Sequence, residues 1–171
     1  MSATMWRMSA EIQMSGELDP RSGWAVGGCP MARTFEVLGT KSAYVIMREA
    51  FYGATRFEEF VERTGVSEPV AAARLRELTD EGLLAKVPYQ EPGQRTRNGY
   101  ELTEKGSDLL PVLVAMMHWG DRWLFPNGAR VELTHAGCGG EVAAELVCEH
   151  GHRIGEGELA LGVRRRPPAA A

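Results

Sequence analysis

Apolar residues recur at helical spacing through the first two thirds of the chain, and the breaks between them fall at glycine, proline and polar turns. Ala32 to Leu38 reads as a short helix that Gly39 ends. A second helix opens at Thr40 or Lys41, carries Tyr44, Val45, Met47 and Phe51 among its apolar positions, and closes at Gly53. Phe57, Phe60 and Val61 mark a third from Arg56 to Arg63, and Thr64-Gly65-Val66 is a turn. A fourth helix runs from Ser67 to Thr79, with Ser67 as its N-cap and Pro69 in its first turn. Ala71, Leu75 and Leu78 share its inner face at i, i+4, i+7. Pro69, Val70, Ala73 and Arg76 then point outward, with Arg74 on the flank.

After Gly82 the period shortens. Lys86 to Gln90 and Tyr100 to Leu102 read as two strands, with a tip from Glu91 to Gly99 rich in Arg, Gly and Pro. Thr103 caps a long helix through Leu109, Val112, Leu113, Met116, Trp119 and Trp123, which Pro111 should kink. Asn127-Gly128 breaks the chain. The pattern predicts a mostly α fold with a small β-hairpin wing: helix, tight turn, helix and hairpin, a winged helix-turn-helix. That arrangement serves to place one helix in the DNA major groove. Residues 1–28 read as a disordered leader, 29–126 as the winged helix-turn-helix for DNA binding and dimerisation, 130–162 as a small β-rich ribbon, and 163–171 as a disordered tail.

Composition narrows the class. A formal net charge of −4 argues against a protein that coats nucleic acid without selectivity, but not against a specific reader whose arginines are clustered. No uninterrupted apolar run is long enough to cross a bilayer, and the N-terminus offers no apolar signal segment, so a cytoplasmic protein is expected. Three cysteines, an odd number without framework spacing, suit a reducing compartment. Neither a Gly-rich phosphate loop after a strand, nor a Gly-x-Ser-x-Gly elbow, nor a distinct carboxylate pair is present, so no catalysis is expected.

The candidate DNA contacts follow from placement. On the fourth helix, Arg74 and Arg76 suit phosphates or guanine edges, while Ser67, Pro69, Val70 and Ala73 are small enough to let its backbone approach the bases. A solvated face in which the arginines pair with Glu77 or Asp80 is the alternative. Arg95 and Arg97 at the tip, near no acid in sequence except Glu91, suit the minor groove or phosphates, or form an ordinary charged hairpin. Lys41 and Arg56, at helix starts, suit backbone phosphates. Toward the C-terminus, His135 and Cys138, then Cys148 with His150 or His152, form two knuckle-like groups that suit tetrahedral zinc; a metal-free hairpin is the alternative.

Many short motifs recur together: Cys29-Pro30-Met31-Ala32-Arg33, Gly39-Thr40-Lys41, Arg48-Glu49, Gly53 followed by Arg56-Phe57, Arg74-Leu75-Arg76-Glu77-Leu78 with Gly82-Leu83, Tyr100-Glu101-Leu102-Thr103-Glu104-Lys105-Gly106 and Trp119-Gly120-Asp121-Arg122-Trp123. Over about residues 29 to 125 the chain resembles the HxlR-type winged-helix transcriptional regulators. The family's usual Gly-Lys-Trp is Gly39-Thr40-Lys41-Ser42 here, without the tryptophan. The resemblance implies a homodimer related in shape to the MarR group, binding a pseudo-palindromic duplex operator. It also implies that Cys29 can serve as an oxidant or electrophile sensor, against the plainer role of a small buried residue. The C-terminal stretch resembles a ribbon appended to some members, with Gly151 where a last cysteine would stand. The expected function is a DNA-binding regulator, a repressor responsive to a small molecule or to thiol oxidation. Met116 and Met117 would line an apolar effector pocket or simply fill the core. The other class is a winged-helix module that binds protein through its ribbon.

Overall fold

The computed structural model describes residues 12–15 and 29–162. Along the chain come β1 (Gln13–Met14), α1 (Pro30–Leu38), α2 (Lys41–Phe51), α3 (Phe57–Thr64), α4 (Glu68–Asp80), β2 (Leu84–Tyr89), β3 (Arg97–Leu102), α5 (Glu104–Ser107), α6 (Leu110–Leu124) and β4 (Ala160–Leu161). Residues 29–144 form one compact unit, and the described residues of 1–28 and 145–171 belong to another.

In the larger unit, α2, α3 and α4 pack around Ile46, Met47, Phe60, Leu75 and Leu78, each at most 1% exposed. Leu83, Leu84 and Leu113 close that core from the wing and from α6. The alternation on α4 is as its sequence dictates: Ala71, Leu75 and Leu78 are buried and the opposite face is not. Gly65, at φ 67°, supplies the left-handed residue that ends α3 and starts the turn, a conformation costly for any side chain. Ser67 is the N-cap of α4, but its hydroxyl makes no capping bond, and Pro69 lies in the first turn as expected.

Two elements depart from the sequence reading. Pro111 does not kink one long helix. The chain instead forms two, α5 and α6, and Pro111 occupies the first turn of α6, where its missing N–H leaves no helical bond unmade. The wing strands are also longer than the apolar pattern marks, pairing antiparallel from Leu84↔Leu102 to Tyr89↔Arg97 and leaving residues 90–96 as the turn. Their anchor is the helical layer. The Tyr100 ring meets Phe60 edge-on at 6.1 Å, and the Tyr100 N–H donates to the Thr55 carbonyl at 2.7 Å. Gly99 belongs in that contact because a Cβ there would stand 3.0 Å from the Thr55 oxygen.

In the smaller unit, β1 pairs parallel with β4 through Gln13 N–H to the Leu159 carbonyl and Ser15 N–H to the Leu161 carbonyl, at 2.8 and 3.0 Å. Two residues of the stretch read as a leader, Gln13 and Met14, are therefore part of a strand pair; apart from residues 12–15, the stretch 1–28 lies outside the described residues, as does the tail 163–171. The stretch 130–162 is divided between the two units. Among the described residues no helix is long and apolar enough to cross a membrane.

Candidate nucleic-acid interface

A surface of three parts lies on the larger unit: the outer face of α4, the start of α3, and the wing. On α4, Ser67, Pro69, Val70 and Arg76 are exposed and Ala73 is half-buried, so the outward face predicted from the period is the one found. Arg76 has no ion pair among the described residues, and its charge reaches the Tyr100 hydroxyl of the wing. There it partly offsets the burial that raises the pKa of that group. Arg74 is different. Its Nη1 is paired with Glu77 one turn on, and its buried Nε has no partner among the described residues. The alternative raised for Arg74, an intrahelical pair with Glu77, is thus the arrangement of the unbound protein.

Arg56 is the N-cap of α3. Glu59 reaches back to accept from the backbone N–H groups of Thr55 and Arg56, at 2.9 and 3.0 Å, and bonds Arg63 at 2.7 Å. Those two N–H bonds hold the Glu59 carboxyl below its usual pKa, and the Arg63 and Arg56 charges act the same way. The Arg56 guanidinium pairs with Glu91 of the wing turn and lies 5.0 Å from the centre of the Tyr89 ring. Arg97 is not at the tip: it opposes Tyr89 in β3, and its Nη1 donates to Glu58 of α3 at 3.0 Å. Arg95 stands in the turn, exposed and without an ion pair among the described residues. Lys41 is exposed as the first residue of α2, whose N-terminus Thr40 caps by accepting from Ala43 N–H at 3.1 Å.

Sequence reasoning missed Glu58, whose role depends on a contact with a residue 39 positions away. Of the apolar pocket raised for Met116 and Met117 it missed the opposite wall: in a slot of about 140 Å³, Tyr44, Arg48 and Phe51 of α2 and Tyr52 just after it face Leu113, Val114 and Met117 of α6. The residue signal was there, since those side chains recur at one-turn spacing on both helices. At its rim Arg48 holds the buried Glu49 carboxylate at 2.6 Å. Met117 lines this slot, whereas Met116 is 48% exposed.

Cys29 is half-buried at the N-cap of α1, and Arg33, four residues on, is committed to Glu36. The metal candidates fall in two tight turns, one in each unit. In the first, His135 Nδ1 and Cys138 Sγ are 3.1 Å apart beside the Thr134–Glu141 bridge. In the second, Cys148 N–H donates to the His152 carbonyl at 3.0 Å, and the His150 and His152 rings are 6.4 Å apart. A tetrahedral zinc site takes four donors. Within either turn taken by itself, no group of three or more His, Cys, Asp or Glu side chains is assembled among the described residues.

Helix, left-handed turn, small-faced helix and anchored hairpin together define a winged helix-turn-helix protein of the DNA-binding class. The match to the HxlR-like helix-turn-helix model over residues 37–127 places the chain in that family, one of transcriptional regulators. The uncharacterized HTH-type transcriptional regulator Rv3095 of Mycobacterium tuberculosis is 37% identical over 124 residues, covering 72% of this chain and 77% of that one. Among solved structures, PA1607, a candidate transcription factor, superposes with a TM-score of 0.71 at 34% identity, covering 82% of this chain and 97% of that one. The reduced form of the transcriptional regulator YodB from Bacillus subtilis aligns at a TM-score of 0.50 and 31% identity, over 58% of this chain and 97% of YodB.

Proposed function

We propose that the protein acts in the cytoplasm as a homodimeric, sequence-specific repressor whose α4 enters the major groove while the wing reaches the flanking groove or backbone. One observation carries this reading: α4 turns the small side chains of Pro69, Val70 and Ala73 outward, leaving its backbone open to the base edges, with Arg76, unpaired among the described residues, beside them. Arg95 and Arg97 of the wing, with Arg56 and Lys41, contact phosphates. Arg74 joins them by leaving Glu77, a cheap exchange because exposed intrahelical pairs are weak.

The dimer has its own support. Helix α1 buries none of its residues, leaving Met31 and Phe35 73% and 68% exposed, and α6 leaves Trp119 and Trp123 60% and 63% exposed. Apolar surface of this kind on one chain marks an association face. Two-fold symmetry then calls for a pseudo-palindromic operator with half-sites about 34 Å, one helical turn, or a multiple of it apart. The input is a small molecule in the slot between α2 and α6, or oxidation of Cys29; the likeness to YodB, which has a described reduced form, supports the second.

The test is titration of duplexes enriched by the protein from a randomised pool, with a scrambled duplex as competitor. Arg76→Ala should weaken selective binding by about 1–3 kcal/mol and relax specificity at the contacted base pair. Equal affinity for both duplexes, unaffected by Arg76→Ala, would sink the assignment and favour a protein-binding module.

A further inference from the structure

Two arginines of the wing-side surface are held by carboxylates, and the arrangement is reciprocal. Arg56, at the start of α3, pairs with Glu91 of the wing turn; Arg97, on β3, pairs with Glu58 in the first turn of α3. Each element supplies one cation and one anion, so the pairs cross between them. The side chains are open to water, at 48% and 36% exposed in the first pair and 56% and 62% in the second. Exposed ion pairs contribute little to stability. The wing is in any case fastened to the helices without them, by the Tyr100–Thr55 backbone bond and the Phe60–Tyr100 contact. What the crossed pairs do fix is where two guanidinium groups point. Arg56 is fixed twice over, since the Tyr89 ring backs it.

We infer that Glu58 and Glu91 are specificity-determining positioning residues for duplex DNA. They hold Arg56 and Arg97 in the orientation needed at an operator and repel the backbone of any other sequence. The inference rests on the reading of those two arginines as phosphate contacts. Binding without sequence selectivity is almost wholly electrostatic, so two carboxylates beside the phosphates weaken it directly. At an operator, α4 is seated by its base contacts and phosphates stand at fixed positions. Each guanidinium then passes from carboxylate to phosphate, a change of partner in which no proton moves and no covalent bond is made. Oriented in advance, the arginines lose little side-chain freedom in that exchange. The carboxylates therefore act on the difference between right and wrong sequences, an instance of discrimination by a built-in repulsive element.

The experiment uses the full chain carrying Glu58→Gln and Glu91→Gln, singly and together. The probes are the wild-type-selected duplex and a random-sequence duplex of equal length, each titrated over a range of salt. The double variant should bind the random duplex about tenfold more tightly, each single variant about threefold, following the size of exposed charge interactions. Affinity for the selected duplex should change less than threefold, so that the specificity ratio drops. An unchanged affinity for random duplex, or an equal change on both duplexes, overturns the inference. Arg76→Ala, run alongside, separates the two levels. If it too leaves selected-duplex binding unaltered, the DNA face itself is misplaced; if it weakens that binding while the glutamine variants do nothing, only the role of Glu58 and Glu91 fails. Unchanged thermal unfolding of the single variants guards against loss of fold.

Discussion

At the start of α3 a single carboxylate, Glu59, accepts from the N–H groups of Thr55 and Arg56 and so sets where the helix begins. Its pKa is held below the ordinary value of 4.5, mainly by those two bonds. A depressed folded-state pKa means that the stabilisation is present above the unfolded value and is lost as the pH falls through the folded one. Glu59→Ala should therefore cost about 1 kcal/mol at pH 7, the size of a lost helix cap. The gap between variant and wild type in urea unfolding should narrow below pH 4.5. A gap that persists undiminished into acid would show that packing, not the carboxylate, is what the variant loses. Phe60, fully buried beside it and touching Tyr100, should cost about 3–5 kcal/mol as Phe60→Ala, read by the same denaturant titration.

The reading helix and the turn before it show how far local rules reach among the elements. Ala71, Leu75 and Leu78 at one-turn spacing, Gly65 in the turn and Pro69 in the first turn are signals that each act within a few residues, and each led to the right element. Gly65→Ala, forced to φ near 67°, should lower stability by about 1 kcal/mol, which thermal melting would register. Sequence and structure differ where an element depends on a distant partner. Leu84 and Ala85, ahead of the expected first strand, and Arg97 to Gly99, ahead of the second, carry no alternation that marks them as strand, and β3 extends to Arg97 because it has β2 to pair with. Arg97 moved from the tip into a strand for that reason. Its carboxylate, Glu58, and that of Arg56, Glu91, stand on other elements, where periodicity cannot see them. Pro111 could have been read either way, since a proline kinks a helix from inside but starts one from its first turn.

For the whole molecule, the exposed apolar side chains of α1 and α6, proposed above as an association face, are the feature a single chain leaves unexplained. Trp119→Ala with Trp123→Ala should shift the protein from dimer to monomer in sedimentation velocity and, in step with that, weaken operator binding; a dimer that survives both changes would place the interface elsewhere. Helix α1 has nine residues, none fully buried; Val37 and Leu38 at its end pack against the core, but Met31 and Phe35 stay exposed, and helices of under about 12–15 residues depend on packing for their stability in water. In the dimer proposed above, the second subunit would cover the rest of this helix, and helicity would then depend on concentration. Diluting the protein through its dimer constant should reduce the far-ultraviolet circular dichroism at 222 nm by about one short helix per chain. Cys29 lies at the N-cap of that same helix, half-buried while the helix is formed. A thiol reagent should accordingly label it faster in dilute solution than in concentrated solution, and the proposed response to oxidants would then vary with the abundance of the protein.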